Sequence, residues 1–537
     1  MFYLIILSMI LLLFFKSKKS LHMLQQNLYN ENNRYIKWIG KNALSFINIE
    51  LFAIFMTLMG YFVFFDTEKY TRLAQILIII IYLISVSIWY NKLKKEQKKK
   101  PLVVTKRVER LIITLIILHI LPIVFLILNI KNTKTSFIII FAYTIILYLN
   151  NFIIYLAKII NTPVEKCVAR HFENMAQKKL RSMTDLKIVG ITGSYGKTSS
   201  KNILADILNV KYNALPTPKN FNTHNGLLIT INNNLDKFTD IFIAEMGAYV
   251  KGDIQDLCDM IHPKYGILTK IGTAHLESFG SEKNIIEGKF ELIESLPSDG
   301  IGVLNRDDEK QVSYKLKNNC KIIWIGIENK DVDVYATNIE CSNIGTKFDV
   351  LFKGDKTRYP FECKLLGDHN VYNILASIAL GREFGIEIKD LQKSVRKVKP
   401  VEHRLELKTI GNFYMIDDAY NSNPIGAKNA IEVLGMMPGI KIVVTPGMIE
   451  LAEKEEELNE KFGEQIAEVA DYVVLIGEKK TEPIKKGLKN KKYNFDNVVI
   501  YNDVTKAYNF INGIKNENRD SEVYALFEND LPDTYNE

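Results

Sequence analysis

The residues best placed for chemistry lie between 187 and 199. Lys187-Ile188-Val189-Gly190-Ile191 reads as a buried strand. Thr192-Gly193-Ser194-Tyr195-Gly196 reads as a tight turn, and Lys197-Thr198-Ser199 opens a helical pattern. A strand that stops at two glycines and restarts as a helix leaves backbone amides and the positive helix end facing outward, which suits an anion. Lys197 is spaced to reach the β- and γ-phosphates of a nucleotide, and the Thr198 hydroxyl to sit on Mg²⁺. The strict phosphate-loop pattern asks for glycine where Ile191 stands, so the chain carries the variant T-G-S-x-G-K-T-S. Gly193, Ser194, Tyr195, Gly196, Lys197, Thr198 and Ser199 are therefore candidates to bind ATP.

A phosphate loop needs a sheet edge. Strand-like runs at Ile241–Glu245, Tyr265–Ile271 and Gly300–Leu304 alternate with helical patterns at Thr198–Leu208, Asn284–Leu296 and His369–Phe384. That rhythm predicts a mostly parallel sheet covered on both faces. The stretch from Lys321 to Leu366 alternates more strictly and predicts a small antiparallel layer. Beyond Arg404, strands at Phe413–Ile416, Lys441–Val444, Tyr472–Leu475 and Val498–Tyr501 predict a Rossmann-like domain. No GxGxxG fingerprint accompanies it, so dinucleotide binding is not indicated.

The first 160 residues are unlike the rest. Within 537 residues that are 47% hydrophobic overall, this region is dominated by Leu, Ile, Phe and Tyr. Apolar runs cover Phe2–Phe15, which is short, Ala43–Phe65, which is interrupted mainly by Ser45, Asn48 and Glu50, and Leu73–Tyr90, Leu111–Ile130 and Ser136–Ile160, which are long enough to span; about five spans are expected in all. Connections at Lys16–Lys41 and Lys92–Arg110 hold fifteen Lys and Arg; those at Asp66–Arg72 and Lys131–Thr135 hold four. The basic excess marks the inner side, which places the N-terminus outside and everything after Ile160 in the cytoplasm. The net charge of +8 is thus explained by membrane orientation, and nucleic acid is not an expected partner. Five scattered cysteines, Cys167, Cys258, Cys320, Cys341 and Cys363, form neither a disulfide framework nor a zinc knuckle. Glu50 and His119 lie in apolar runs without a site reading.

Nine stretches in order resemble the ATP-dependent Mur ligases of cell-wall peptide synthesis, in particular the branch that adds a terminal dipeptide. They are Thr192–Ser199, Asn220–Gly226, Glu245–Ala248, Gly272–Ser281, Lys289–Glu291, Leu304–Asp308, Gly367–Asn373, His403–Glu406 and Asp417–Pro424. The family joins a carboxylate to an amine through an acyl phosphate. The resemblance implies Mg²⁺ on Thr198 and Glu245, a second Mg²⁺ at His275, and a carbamylated Lys289 beside it. It implies nucleotide contacts from Asn305, Asp308, His369, Asn370 and Asn373, a phosphate contact from Arg404, and a ribose contact from Asp417. Lys197, Lys289, His275 and Arg404 are the implied catalytic set. Asn222 and Thr223 are implied to contact the acyl substrate, and Tyr420, Asn421 and Asn423 the amine.

Three departures limit that transfer. Membrane helices stand where the family carries a UDP-sugar-binding domain. The run Gly-Asp-Met-x-Glu-Leu-Gly is replaced by Pro446-Gly447-Met448-Ile449-Glu450-Leu451-Ala452, with Asn459 where a histidine is usual. A Lys-Gly-Ser loop is replaced by Leu526-Phe527-Glu528-Asn529-Asp530-Leu531-Pro532-Asp533. The expected architecture is an α-helical membrane domain (1–160), a linker helix (161–185), a P-loop-type α/β domain (186–400) and a Rossmann-like domain (401–537). The expected protein is a multi-pass cell-membrane enzyme with cytoplasmic catalytic domains and membrane lipids as partners. It would couple an amino acid or dipeptide to a carboxylate acceptor that is membrane-linked. Its alternatives are D-alanyl-D-alanine addition to a UDP-muramoyl tripeptide, and poly-γ-glutamate-like synthesis.

Overall fold

The computed structural model describes residues 2–27, 29, 33–42, 54–55, 57–58, 68–95, 101–129, 133–273, 276–419, 422–449, 451 and 454–529. The chain divides into two compact units, Met1–His171 and Phe172–Leu531.

The first unit is helical: α1 (Phe2–Gln26), α2 (Arg34–Lys41), α3 (Glu68–Lys95), α4 (Lys106–Leu128), α5 (Thr133–Tyr148) and the part of α6 (Asn150–Ser182) up to His171, the rest of α6 belonging to the second unit. Among the described residues, two helices are long and apolar enough to cross a membrane, Thr71–Lys94 and Lys106–Leu128, with mean hydropathies of 2.2 and 3.1. They contain most of the expected spans Leu73–Tyr90 and Leu111–Ile130. Most of Ala43–Phe65 lies outside the described residues. The helix that carries the apolar run Phe2–Phe15 continues past the lysines that follow it, to Gln26. The run Ser136–Ile160 is not one straight helix: α5 and α6 meet at Leu149 with a bend of 75°. Asn150 is the first residue after the break. Its side chain accepts from Ser17 Oγ (3.3 Å) and donates to Ser20 Oγ (3.2 Å) on α1. Apolar side chains from α1, α3 and α5, including Met9, Ile78, Tyr82 and Ile140, form one core. Leu7, Ile80, Ile116 and Leu121 face outward.

The second unit holds two sheets. The first has nine strands in the order β2-β3-β1-β4-β5-β6-β7-β8-β9. They are β1 (Lys187–Thr192), β2 (Ala214–Pro216), β3 (Ile241–Glu245), β4 (Tyr265–Leu268), β5 (Ile301–Asn305), β6 (Lys321–Gly326), β7 (Val334–Ser342), β8 (Gly345–Phe352) and β9 (Tyr359–Cys363). β2 to β7 run parallel as neighbours through β1, while β8 is antiparallel to both β7 and β9. The expected antiparallel layer is therefore an extension of the same sheet rather than a separate one.

Buried parallel strands want cover on both faces. On one face, α7 (Lys197–Leu208) and a helix at Asp368–Glu383 bury Ile203, Leu204, Ile207, Ile374 and Ile378. On the other, helices at His224–Asn233, Asp253–Ile261 and Glu282–Glu294 bury Leu227, Ile254, Phe290 and Leu292. β1 pairs with β3 on one side and β4 on the other. The strand order reverses there, and such a reversal opens a crevice at the strands' carboxyl ends.

The second sheet has six strands in the order β10-β11-β15-β12-β13-β14. They are β10 (Glu406–Ile410), β11 (Phe413–Asp418), β12 (Ile440–Thr445), β13 (Tyr472–Ile476), β14 (Val498–Tyr501) and β15 (Val523–Glu528). Only β10 is antiparallel to its neighbour. Both faces carry apolar cores. The expected Rossmann-like rhythm is what forms.

Candidate active site

β1 ends in the glycine loop, and α7 begins at Lys197 with Gly196 as its N-cap. Gly193 has φ +148°, and a Cβ there would lie 2.0 Å from Thr269 Oγ1. Gly196 has φ +83°. Two positions therefore require glycine for the turn to close. The loop is also tied to the segment after β4: Ser194 N donates to Lys270 O (2.9 Å), Thr269 Oγ1 to Tyr195 O (2.6 Å), and Ser194 Oγ to Gly272 O (3.1 Å). Thr198 and Ser199 lie in the first turn of α7.

Lys197 folds back over the loop, donating to Gly193 O (2.7 Å) and Ser194 O (3.3 Å). Desolvation lowers its pKa to about 8; Glu245 opposes that shift and the charge of Arg404 adds to it. Arg404 comes from the segment before β10. It brings a cation from the second sheet's side toward the phosphate loop. Its neighbours His403 and Leu405 have φ of 59° and 47°.

Glu245, at the end of β3, is 1% exposed. Its Oε1 accepts from Thr198 Oγ1 (3.1 Å) and Asn222 Nδ2 (3.1 Å), and its Oε2 from Lys201 Nζ (3.0 Å). The structure thus joins Thr198 and Glu245 directly. It also brings in Asn222, read from the sequence as a substrate contact. Lys201 was not singled out from the sequence. Its signal was available, because it lies one helical turn after Lys197 on the same face.

Lys289, on the helix Glu282–Glu294, is 2% exposed. Burial lowers its pKa to about 7, and the charge of Lys197 adds to that. Its Nζ lies 5.4 Å from the centroid of the Phe279 ring. His275 lies outside the described residues, as do Tyr420 and Asn421.

The helix Asp368–Glu383 approaches from the other side. Asn373 Oδ1 accepts from Ser200 Oγ (2.7 Å), and its Nδ2 donates to Asn370 Oδ1 (3.4 Å), which locks this helix to α7. Burial lowers the pKa of His369 to about 4, so the imidazole is neutral. Asn305 is buried, and its Oδ1 accepts from Asp307 N (2.9 Å). Beside this segment a depression of ≈ 500 Å³ is lined by Arg306, Asp307, Glu309, Val312, Ser313, Glu328 and Asn329.

Other candidates are engaged within the protein. Asp308 Oδ2 accepts from Ile271 N (3.0 Å) and Gln311 Nε2 (3.2 Å), and its Oδ1 from Lys310 N (3.2 Å). Asp417 Oδ2 accepts from His403 Nδ1 (2.8 Å) and Lys408 Nζ (2.6 Å). Burial raises its pKa, but the Lys408 and His403 bonds outweigh that and hold it below the usual carboxylate value. Thr223 caps the helix His224–Asn233, and Asn423 caps the helix Pro424–Gly435 by accepting from Gly426 N (2.9 Å). A second group missed from the sequence is the buried pair Asp418 and Glu528, paired across β11 and β15. Glu528 accepts from Ser422 Oγ (2.5 Å). Burial raises Asp418 to about 6; burial, then the charge of Asp418, raises Glu528 well above the usual value.

A phosphate loop with its lysine, a hydroxyl–carboxylate pair at the crevice and an arginine from a second α/β sheet define a nucleotide-dependent enzyme of the phosphate-transferring class. The Mur ligase middle domain matches residues 191–381, and the Mur ligase glutamate ligase domain matches residues 403–520. The chain belongs to the Mur ligase family, ATP-dependent ligases of cell-wall synthesis. It is 34% identical over 284 residues to the UDP-N-acetylmuramoyl-tripeptide–D-alanyl-D-alanine ligase of Bacillus subtilis, covering 52% of this chain and 60% of that one. It is 30% identical over 301 residues to the Escherichia coli enzyme of the same name, covering 56% and 66%. The chain therefore spans less than two thirds of the length of these relatives. The crystal structure of MurF ligase from Thermotoga maritima in complex with ADP superposes with a TM-score of 0.58 at 27% identity, over 67% of this chain and 80% of that one.

Proposed function

We propose that this chain joins a dipeptide of the D-alanyl-D-alanine type to the carboxylate of a muramoyl-peptide precursor, using ATP. The observation that carries the reading is the Lys197 loop with Arg404 nearby, in a chain whose matched relatives bear that activity in their names. The Lys197 ammonium binds the phosphates and offsets charge as the γ-phosphoryl group passes to the substrate carboxylate. Arg404 adds a second positive charge, close enough to act on Lys197. ADP is the leaving group of that transfer; the dipeptide amine then attacks the acyl carbon, gives up a proton, and inorganic phosphate leaves as the amide forms.

Thr198 Oγ1 and Glu245 Oε1, two hard oxygen donors 3.1 Å apart, fit a divalent cation. Bound Mg²⁺ would supply charge neutralisation of the phosphates. Lys289 fits carbamylation, because burial leaves much of its amine neutral near pH 7, and a carbamate anion would face the Lys197 charge. The family resemblance would make it, with His275, a ligand of a second cation.

A second reading keeps the chemistry and makes the acceptor membrane-borne, in a multi-pass enzyme with cytoplasmic catalytic domains. Two apolar helices of spanning length favour it. One assay separates the two: ATP turnover by detergent-purified full chain with D-alanyl-D-alanine, offered a UDP-muramoyl tripeptide or a membrane lipid extract. Turnover with the UDP-linked acceptor supports the first reading. Turnover only with the extract overturns it in favour of the second.

A further inference from the structure

Lys201 has no part in the reading above, yet it makes the most buried ion pair of the site. Its side chain is 1% exposed and that of Glu245 2%, with Nζ and Oε2 3.0 Å apart. Lys197 and Lys201 are one turn apart on α7 and divide the work. Lys197 reaches back over the glycine loop, while Lys201 reaches across to the end of β3. Lys201 Nζ also donates to Lys219 O (2.5 Å). Lys219 has φ 47°, a left-handed conformation, in the turn that leads to Asn222. One ammonium thus fixes one oxygen of Glu245 and the turn before the residue that binds its other oxygen.

We propose that Lys201 is a built-in counter-cation for Glu245, holding that carboxylate in place in the nucleotide-free protein and excluding free Mg²⁺ until nucleotide phosphates arrive with it. This rests on the reading that Thr198 and Glu245 hold the Mg²⁺ that accompanies ATP. A buried carboxylate without a partner is costly, so a pocket lacking Lys201 would take any divalent cation available. With Lys201 present, Mg²⁺ arriving alone meets an ammonium across the width of one carboxylate, where water screens poorly. The negative charges of a nucleotide reverse that balance. Mg²⁺ and nucleotide therefore enter together, and Lys201 acts as a positioning residue rather than a catalytic one.

The test uses EDTA-stripped, detergent-purified full chain. Calorimetric titration and thermal unfolding are followed with MgCl₂ alone and with MgCl₂ plus ADP. Wild type is expected to respond only to the combination. Lys201→Met is expected to bind free Mg²⁺ at least roughly tenfold more tightly than wild type, which corresponds to about 1.4 kcal/mol. Lys201→Arg, which keeps the charge, should behave as wild type. The double variant Lys201→Met with Glu245→Gln should regain metal-free stability and show no response to Mg²⁺ alone. The proposal is overturned if Lys201→Met responds to MgCl₂ plus ADP but gains nothing with free Mg²⁺. It is also overturned if wild type binds free Mg²⁺ as well as it does with ADP, an outcome that decides the matter even if Lys201→Met does not fold. A wild type that ignores MgCl₂ plus ADP would instead remove the nucleotide reading itself, and this proposal with it.

Discussion

Two sheets in this chain end in buried glutamates that keep opposite company. Glu245 closes β3 beside a lysine, a threonine hydroxyl and an asparagine amide. Glu528 closes β15 beside a serine hydroxyl and a second acid, Asp418, on the neighbouring strand, with the charge of Arg404 acting on both acids. Backbone geometry is alike at both edges, since each is the carboxyl end of a parallel strand. The difference lies in charge. The first edge pairs its acid with a lysine, while the second sets two acids side by side, where burial raises both pKa values and the charge of Arg404 opposes the rise. A parallel sheet supplies a crevice, and a few side chains then decide its use.

The comparison breaks most severely at Lys197. Lys197→Ala is expected to cut kcat by about 10²–10³-fold in a ligation assay while leaving the thermal midpoint near wild type. If product formation persists, the first edge is not the phosphate site. Gly193→Ala should come next. A Cβ 2.0 Å from Thr269 Oγ1, at φ +148°, must open the loop. ADP affinity by calorimetry should fall roughly tenfold, with about 1–3 kcal/mol lost from stability.

At the second edge the sign of the pH effect is the test. Asp418 and Glu528 both have folded pKa values above their unfolded ones, so the folded chain keeps protons that the unfolded chain releases. Their contribution is full below about pH 4 and is lost as pH rises through about 6 and beyond. Glu528→Gln imitates the protonated acid. Its unfolding midpoint should match wild type near pH 4 and exceed it at pH 8, by roughly 1–3 kcal/mol. An unchanged pH profile would show the two edges to be electrostatically alike. Asn423→Ala should give the smallest effect, about 1 kcal/mol from the lost helix cap, with KM for the dipeptide unchanged. A raised KM would support Asn423 as an amine contact as well as a helix cap.

The two edges also differ in how much of them the sequence reveals. β3 is legible to the residue, because Ile241–Glu245 is an apolar run closed by an acid and all five residues are buried. β4 was expected to reach Ile271 but stops at Leu268. The next residues have their hydrogen bonds taken by the glycine loop and by Asp308, an aspartate that motif resemblance places at the nucleotide. The bend at Leu149 escapes an apolar count, as do the partners that Asn150, the first residue after it, finds on a distant helix. The Asp418–Glu528 pair was beyond reading for a similar reason. It exists only because β15 inserts between β11 and β12, a choice of strand order that no local pattern encodes.

The residues flanking Arg404 carry a last consequence. His403 and Leu405 both hold left-handed backbone conformations, which cost non-glycine residues about 1–2 kcal/mol each. A leucine has no side-chain bond with which to soften that cost. The connection that presents the arginine therefore carries a local backbone cost that the bonds around it must offset, among them Leu405 N donating to Asp418 Oδ1 (3.2 Å). Arg404 is thus held by a stretch whose shape is set by the acids of β11 rather than by its own backbone preference.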